Sequence, residues 1–206
     1  DSRGIPTIQS EIFLDDGLTA SATAPSGAST GTYEAFELRD VENKKYLGKG
    51  VQKAIDHVNG EILKALLNFS IEDQNKIDNR LIDLDGTKQK KRLGANATLS
   101  VSLAANKAAA LSKKIPLYKN IGNNNFKTLP VPLMNIINGG AHANNSLKIQ
   151  EFMIRPDKAK SFRDAVNICF LVIQKLKSLM NSKNFPTSVG DEGGFAPSLS
   201  SNDDAI

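Results

Sequence analysis

A chain of 206 residues and 22.2 kDa, 40% apolar and 23% charged, has the make-up of one or two globular domains. Its apolar runs all fall short of the ~18 residues a membrane span requires, so no membrane span is expected. The net charge of +4 comes from 26 basic residues dispersed among 22 acids, which argues against a nucleic-acid partner. The densest basic run, Lys88-Gln89-Lys90-Lys91-Arg92, has no interleaved aromatics to stack on bases and reads as a solvated loop before a helix. The single cysteine, Cys169, excludes an internal disulfide framework and fits a reducing compartment. The chain opens on Asp1-Ser2-Arg3 rather than methionine, so it carries no information about a targeting segment.

In chain order, residues 5–24 read as a hairpin. Ile8, Ser10, Ile12 and Leu14 alternate with Gln9, Glu11 and Phe13, Asp15-Asp16-Gly17 supplies the turn, and the return strand of residues 18–24 is built of small side chains. Residues 25–31 form a loop with no apolar anchor. Val51, Ala54, Ile55, Val58, Ile62, Leu63 and Leu66 then follow helical spacing. Ser70 followed by Asp73 predicts a capping-box start for a second helix with Ile77, Leu81 and Leu84 on one side. A third, alanine-rich helix is expected over residues 96–113, with Pro116 shortly after it.

Gly122-Asn123-Asn124-Asn125 breaks the pattern, and the domain boundary is placed there: residues 1–125 form the first domain and 126–206 the second. The second segment predicts strands at 129–137 and 151–154. A helix capped by Ser161 and Asp164 comes next, with Phe162, Val166, Cys169, Ile173, Leu176 and Met180 inward, and then a strand at 187–190. That order is the beginning of an α/β unit. Its last strand has no helix or further strand after it, so the chain is expected to be cut short.

Four stretches could carry chemistry. Residues 25–31, Pro25-Ser26-Gly27-Ala28-Ser29-Thr30-Gly31, suit a loop that closes over a ligand, but read from the residues alone they fit a flexible surface loop better; no Lys-Ser or Lys-Thr follows the last glycine, so this is not a Walker-type loop. Asn138-Gly139-Gly140-Ala141-His142 places one of two histidines after a glycine pair, a weak signal alone. His57, inside a helical pattern, is given no role. Gln150-Glu151 opens a strand and Asp191-Glu192 follows one. Strand ends are where α/β folds gather ligands, and carboxylates sharing a pocket push their pKa values apart. From spacing alone, Asp191-Glu192 reads as well as a plain acidic turn.

Together these stretches resemble one family, enolase. The matching residues are Asp1-Ser2-Arg3-Gly4-Ile5-Pro6-Thr7; Pro25 to Gly31 with Glu34 and Leu38-Arg39-Asp40; Tyr46-Leu47-Gly48-Lys49-Gly50-Val51; Leu93-Gly94-Ala95-Asn96-Ala97; residues 130–140; Gln150-Glu151-Phe152-Met153-Ile154; and residues 189–197. They run in the family's order over nearly the whole chain.

The resemblance implies a small α+β amino-terminal domain followed by the first part of a TIM-type barrel, truncated. It implies a lyase of glycolysis that reversibly dehydrates 2-phosphoglycerate to phosphoenolpyruvate with two magnesium ions, in the cytoplasm, as a homodimer or larger homo-oligomer. It further implies that Glu192 is the general acid that protonates the departing hydroxyl and that Glu151 is its partner. His142 and Gln150 lie at the substrate, and Ser29 reaches the second magnesium. Asn144 and Lys148 stand where many members carry glycine or acids. The family's lysine base, first-magnesium carboxylates and phosphate-gripping arginine come later in its sequence, so the 206-residue segment alone is expected to be inactive. The alternative is a truncated, non-catalytic relative acting as a binding or structural module.

Overall fold

In a computed structural model describing residues 1–27, 29–122, 128–191 and 193–206, the chain divides into two compact units, Asp1–Lys127 and Thr128–Ile206. The expected boundary after residue 125 lies outside the described residues.

The first unit starts with the hairpin. Strands β1 (Ile8–Phe13) and β2 (Thr19–Ala24) pair antiparallel, with Ile8 opposite Ala24 and Phe13 opposite Thr19. Leu14, expected in the strand, instead begins the turn: Gly17 N donates to its carbonyl at 2.9 Å, and Gly17 has a φ of +83°. Alternation buries Ile8 and Ser10 on one face of β1 and Ala20, Ala22 and Ala24 on one face of β2. The small side chains of β2 let a helix lie close, and α4 (Ala95–Ser112) packs on both strands. Ala97, Ala104, Ala105, Ala108 and Ala109 are buried along it. One polar pair is enclosed at this contact, the hydroxyls of Ser10 and Ser100 at 2.6 Å, so each buried group has a partner.

The helix expected from residue 51 to 66 is interrupted. It runs as α1 (Gln52–His57), a π-helical turn over Val58–Ile62, and α2 (Leu63–Leu66). Gly60 sits in the widened turn, and its poor helical preference lowers the cost of leaving the regular spiral. The buried Asp40 carboxylate starts α1 by accepting from Gln52 N at 2.7 Å and Lys53 N at 3.0 Å.

Helix α3 (Gln74–Asp85) is capped by Asp73, whose carboxylate accepts from Lys76 N at 3.1 Å. Ser70 is not the cap; its hydroxyl serves a tighter turn by accepting from Glu72 N. At the far end Asp85 is buried and receives hydrogen bonds from Thr87 N, Thr87 Oγ1 and Leu93 N. A short helix, α5 (Leu117–Gly122), packs on α4. The core of this unit joins Ile8, Val51, Ala54, Ile62, Ile77, Leu81, Leu93, Ala97, Val101 and Ala105.

In the second unit, strand β3 covers only Met134–Asn138 rather than 129–137. Pro130 and Pro132 have no N–H to donate to a ladder. Strand β4 (Glu151–Ile154) returns antiparallel to β3, with a register irregularity between Asn135 and Ile137. A barrel of repeating strand–helix units is parallel throughout. Here no helix long enough to carry the chain back spans residues 139–150, so the second strand runs beside the first in the opposite sense.

Helix α6 (Phe162–Ser182) begins as expected: Ser161 Oγ accepts from Asp164 N at 3.1 Å, and Asp164 Oδ2 accepts from Lys160 N at 3.0 Å. Its expected inward face is only partly buried. Cys169 and Met180 are enclosed, whereas Phe162 and Val166 are exposed, as are Phe170 and Leu171. The strand expected at 187–190 reduces to single bridges, Val189 to Phe195 antiparallel and Ile137 to Phe195 parallel. Glycines at 190, 193 and 194 turn the chain back on itself before a ladder can extend.

Candidate functional site

Strand β3 runs into Asn138-Gly139-Gly140, and the little room around these glycines sets the path of the chain beyond them. A Cβ on Gly139 would lie 2.4 Å from the carbonyl oxygen of Ile149 and 2.5 Å from Cβ of Leu147. The residue-139 backbone therefore passes through a gap that only glycine fits. Gly139 N donates to Gln150 O at 2.9 Å and Gly140 N to Leu147 O at 2.8 Å, folding residues 139–149 back onto the start of β4. Gly140–His142 makes a single 3₁₀ turn that carries the histidine.

This loop brings His142 to Glu151. His142 Nδ1 lies 3.1 Å from Glu151 Oε1, and the two side chains are 7% and 18% exposed. Both are thus largely withdrawn from water, where an ion pair or a shared proton is screened far less than at the surface. Gln150, next to Glu151, is exposed and joins the loop through its backbone carbonyl.

The acidic turn lies beside them. Gly193 N donates to Gly190 O at 3.1 Å and Gly190 N to Gly194 O at 3.0 Å, with φ of +80° at Gly193 and +73° at Gly194. A Cβ on Gly190 would lie 2.8 Å from Asn138 Nδ2 and 3.5 Å from the carbonyl oxygen of His142, so the turn is packed against the base of the histidine loop. Asp191 is exposed. Glu192, the expected acid, lies outside the described residues.

Ser29 belongs to the first unit and is exposed. The base of its loop is held firmly: Arg3 Nη2 donates to Ser26 O at 3.0 Å and Gly27 O at 3.2 Å, and Ser26 Oγ donates to Glu37 Oε2 at 2.9 Å. Glu37 is in turn paired with Arg39 at 2.7 Å. Among the described residues no three His, Cys, Asp or Glu side chains gather as a metal site.

Three residues to which the motifs assign no role organise this region: Asn135, Asn138 and Asn145. Asn138, 1% exposed, donates Nδ2 to the carbonyls of Gly193 at 2.6 Å and Gly194 at 3.0 Å. Asn135 Nδ2 donates to Asn138 Oδ1 at 2.6 Å. Asn145 Nδ2 donates to the carbonyls of Asn138 and Pro197, each at 3.0 Å. The one signal for them in the sequence is an asparagine placed directly before a glycine pair at a strand end.

Comparison with known proteins shows the family of the chain. Residues 1–121 match the family model "Enolase, N-terminal domain", and residues 126–206 match "Enolase, C-terminal TIM barrel domain". A curated relative from Pelagibacter ubique (strain HTCC1062), named "Enolase", is 61% identical over 207 residues, covering 100% of this chain and 49% of the relative. The chain thus spans about half the length of that relative. With its amino-terminal domain and part of its barrel both matched, the chain belongs to the enolase family.

Proposed function

We propose that the protein to which this chain belongs is a catalytic enolase, a hydro-lyase of glycolysis that removes water reversibly from 2-phosphoglycerate to give phosphoenolpyruvate. The observation that carries this reading is the withdrawn His142–Glu151 pair, 3.1 Å apart, beside the glycine turn that bears Glu192. Identity of 61% across the whole chain to a protein named "Enolase" supports it.

In this reading Glu192 gives its proton to the departing hydroxyl, which leaves as water. Glu151 balances the charge and protonation of that acid, with His142 holding it from the loop and Gln150 facing the same substrate. Two magnesium ions belong to the proposed whole enzyme; Ser29 would hold one of them, and the ions would supply positive charge to stabilise the doubly charged intermediate.

The reading extends to a domain division at residue 125, a homodimer or larger homo-oligomer, and a cytoplasmic location. It also has the 206-residue segment inactive when isolated. No described helix is long and apolar enough to cross a membrane.

The test begins with the intact mass of the natural gene product, followed by a magnesium-dependent assay of water loss from 2-phosphoglycerate. A mass near twice 22.2 kDa together with turnover is the expected result. A natural product of about 22.2 kDa that loses no water from the substrate would overturn the catalytic reading and leave a binding module.

A further inference from the structure

We propose that Asn138 is a positioning residue for the proton transfer made by Glu192, acting by fixing the backbone of the turn that carries the acid. The inference rests on the enolase reading and adds a residue to its machinery.

A buried side-chain amide needs its two donors and its acceptor satisfied, and a partner for each determines its orientation. At Asn138 the donors go to two successive carbonyls, those of Gly193 and Gly194. The acceptor receives Asn135 Nδ2, so Asn135 selects the rotamer in which nitrogen rather than oxygen faces the glycines. Among the described residues Asn135 Oδ1 is buried and accepts no hydrogen bond, so this donor function is the one its amide is seen to perform.

The backbone of Asn138 is engaged as well. Asn138 N donates to Phe195 O and Phe195 N to Ile136 O, each at 2.8 Å. Residues 193–195, immediately after the acid, are therefore gripped at four points from strand β3. The close fit leaves no slack: a Cβ on Gly194 would lie 3.1 Å from the amide nitrogens of both Asn135 and Asn138. Asn145 extends the grip by tying the Asn138 carbonyl to that of Pro197. A general acid must hold its proton within hydrogen-bond reach of the leaving oxygen, and a displacement of about 1 Å can cost on the order of a hundredfold in rate. Glycines are the residues least able to hold such a position by themselves. Asn138 supplies the restraint they lack.

The reaction offers a readout specific to this role. The C–H bond next to the carboxylate breaks first, its proton passing to a base. The C–O bond breaks afterwards, with the hydroxyl taking the proton of Glu192 and leaving as water. A misplaced acid slows the second event and spares the first. In the natural full-length enzyme, Asn138→Asp removes both donors and sets an oxygen against two carbonyls. Water loss is expected to fall at least roughly tenfold, while exchange of the substrate C–H with solvent deuterium stays within about threefold of wild type. Equal losses in both, or no loss in either, would overturn the proposal.

If Asn138→Asp does not fold, Asn135→Ala, which releases the amide's orientation, carries the same expectation and the same refutation. Backbone amide exchange over residues 188–197 reads the restraint without any activity. It is expected to quicken by about tenfold or more in the folded variant, and unchanged exchange would remove the clamp. A wild-type enzyme that loses no water would instead mark the failure of the enolase reading itself.

Discussion

The two units reach order by different routes. The first is held by burial: Ile8, Ile62, Leu81 and Leu93 share a core, and an alanine-rich helix closes on a strand of small residues. The second, which corresponds to part of a barrel in a chain spanning about half the relative's length, leaves Phe170, Leu171 and Leu179 exposed along its longest helix, and around the glycine turn it is fastened by amides. Asn138 and Asn145 hold the glycine turn, while Asn202 receives Lys148 N and Ser146 reaches Leu199 O. Burial is non-directional and tolerates small shifts, whereas hydrogen bonds fail with a few tenths of an ångström or tens of degrees. In the proposed reading, the turn next to Glu192 is held by the second kind of fastening.

If the contrast is right, truncating the core should damage stability in the first unit far more than on the exposed helix face. Leu93→Ala is expected to destabilise the chain by about 2–5 kcal/mol, measured by urea unfolding. Phe170→Ala, more than half exposed, should cost less than about 1 kcal/mol. Equal losses would erase the distinction.

In the second unit the damage should appear in chemistry rather than stability. Glu192→Gln in the natural full-length protein is expected to lower turnover by roughly a hundredfold, about 2.7 kcal/mol, with substrate affinity and melting temperature little changed. A near-normal turnover number would take the acid role away from Glu192.

A smaller effect concerns the buried carboxylate of the first unit. Burial pushes Asp85 up, but the Thr87 hydroxyl and the N–H groups of Leu93 and Thr87 outweigh it and leave the group below its ordinary range. A folded value lower than the unfolded one, about 3.9, contributes stability that is complete above that pH and is lost as pH falls through the folded value. Asp85→Asn should therefore cost about 1–3 kcal/mol at neutral pH and flatten the acid limb of the stability profile. An unchanged acid limb would show that these hydrogen bonds are not coupled to folding. Ser161→Ala should cost about 1 kcal/mol by removing the cap of α6, read from the same unfolding curves.

Local rules made some of this legible in the sequence. Alternation located the hairpin, and Ser161 with Asp164 marked the start of α6, because turns and caps are decided within a few residues. The π-helical turn at Val58–Ile62 left no trace, since the apolar spacing on either side of it still fits a regular helix. Phe162 and Val166, on the inward face assigned to α6, stand exposed on a helix of a barrel that the chain matches only in part, and an apolar stripe states only that a partner would be favourable. At the site, His142 and Glu151 stood out through the family motif, and the structure sets them 3.1 Å apart. The asparagine clamp was illegible because its partners are carbonyl groups 55 and 56 residues away, which have no sequence signature.

The Asn138-Gly139 dipeptide has one more consequence, in the chemical ageing of the protein. Asparagine before glycine is the pairing most prone to spontaneous deamidation, because the next backbone nitrogen can swing unhindered onto the side-chain carbonyl carbon. Here that nitrogen is committed to Gln150 O at 2.9 Å, and the side chain is pinned at both ends. Asn59-Gly60, on an exposed asparagine in the π-helical turn, has no such side-chain restraint among the described hydrogen bonds. Of the two asparagines that precede a glycine, Asn138 is the one whose side chain and following backbone nitrogen are both held, and it lies against the Gly190–Gly194 turn.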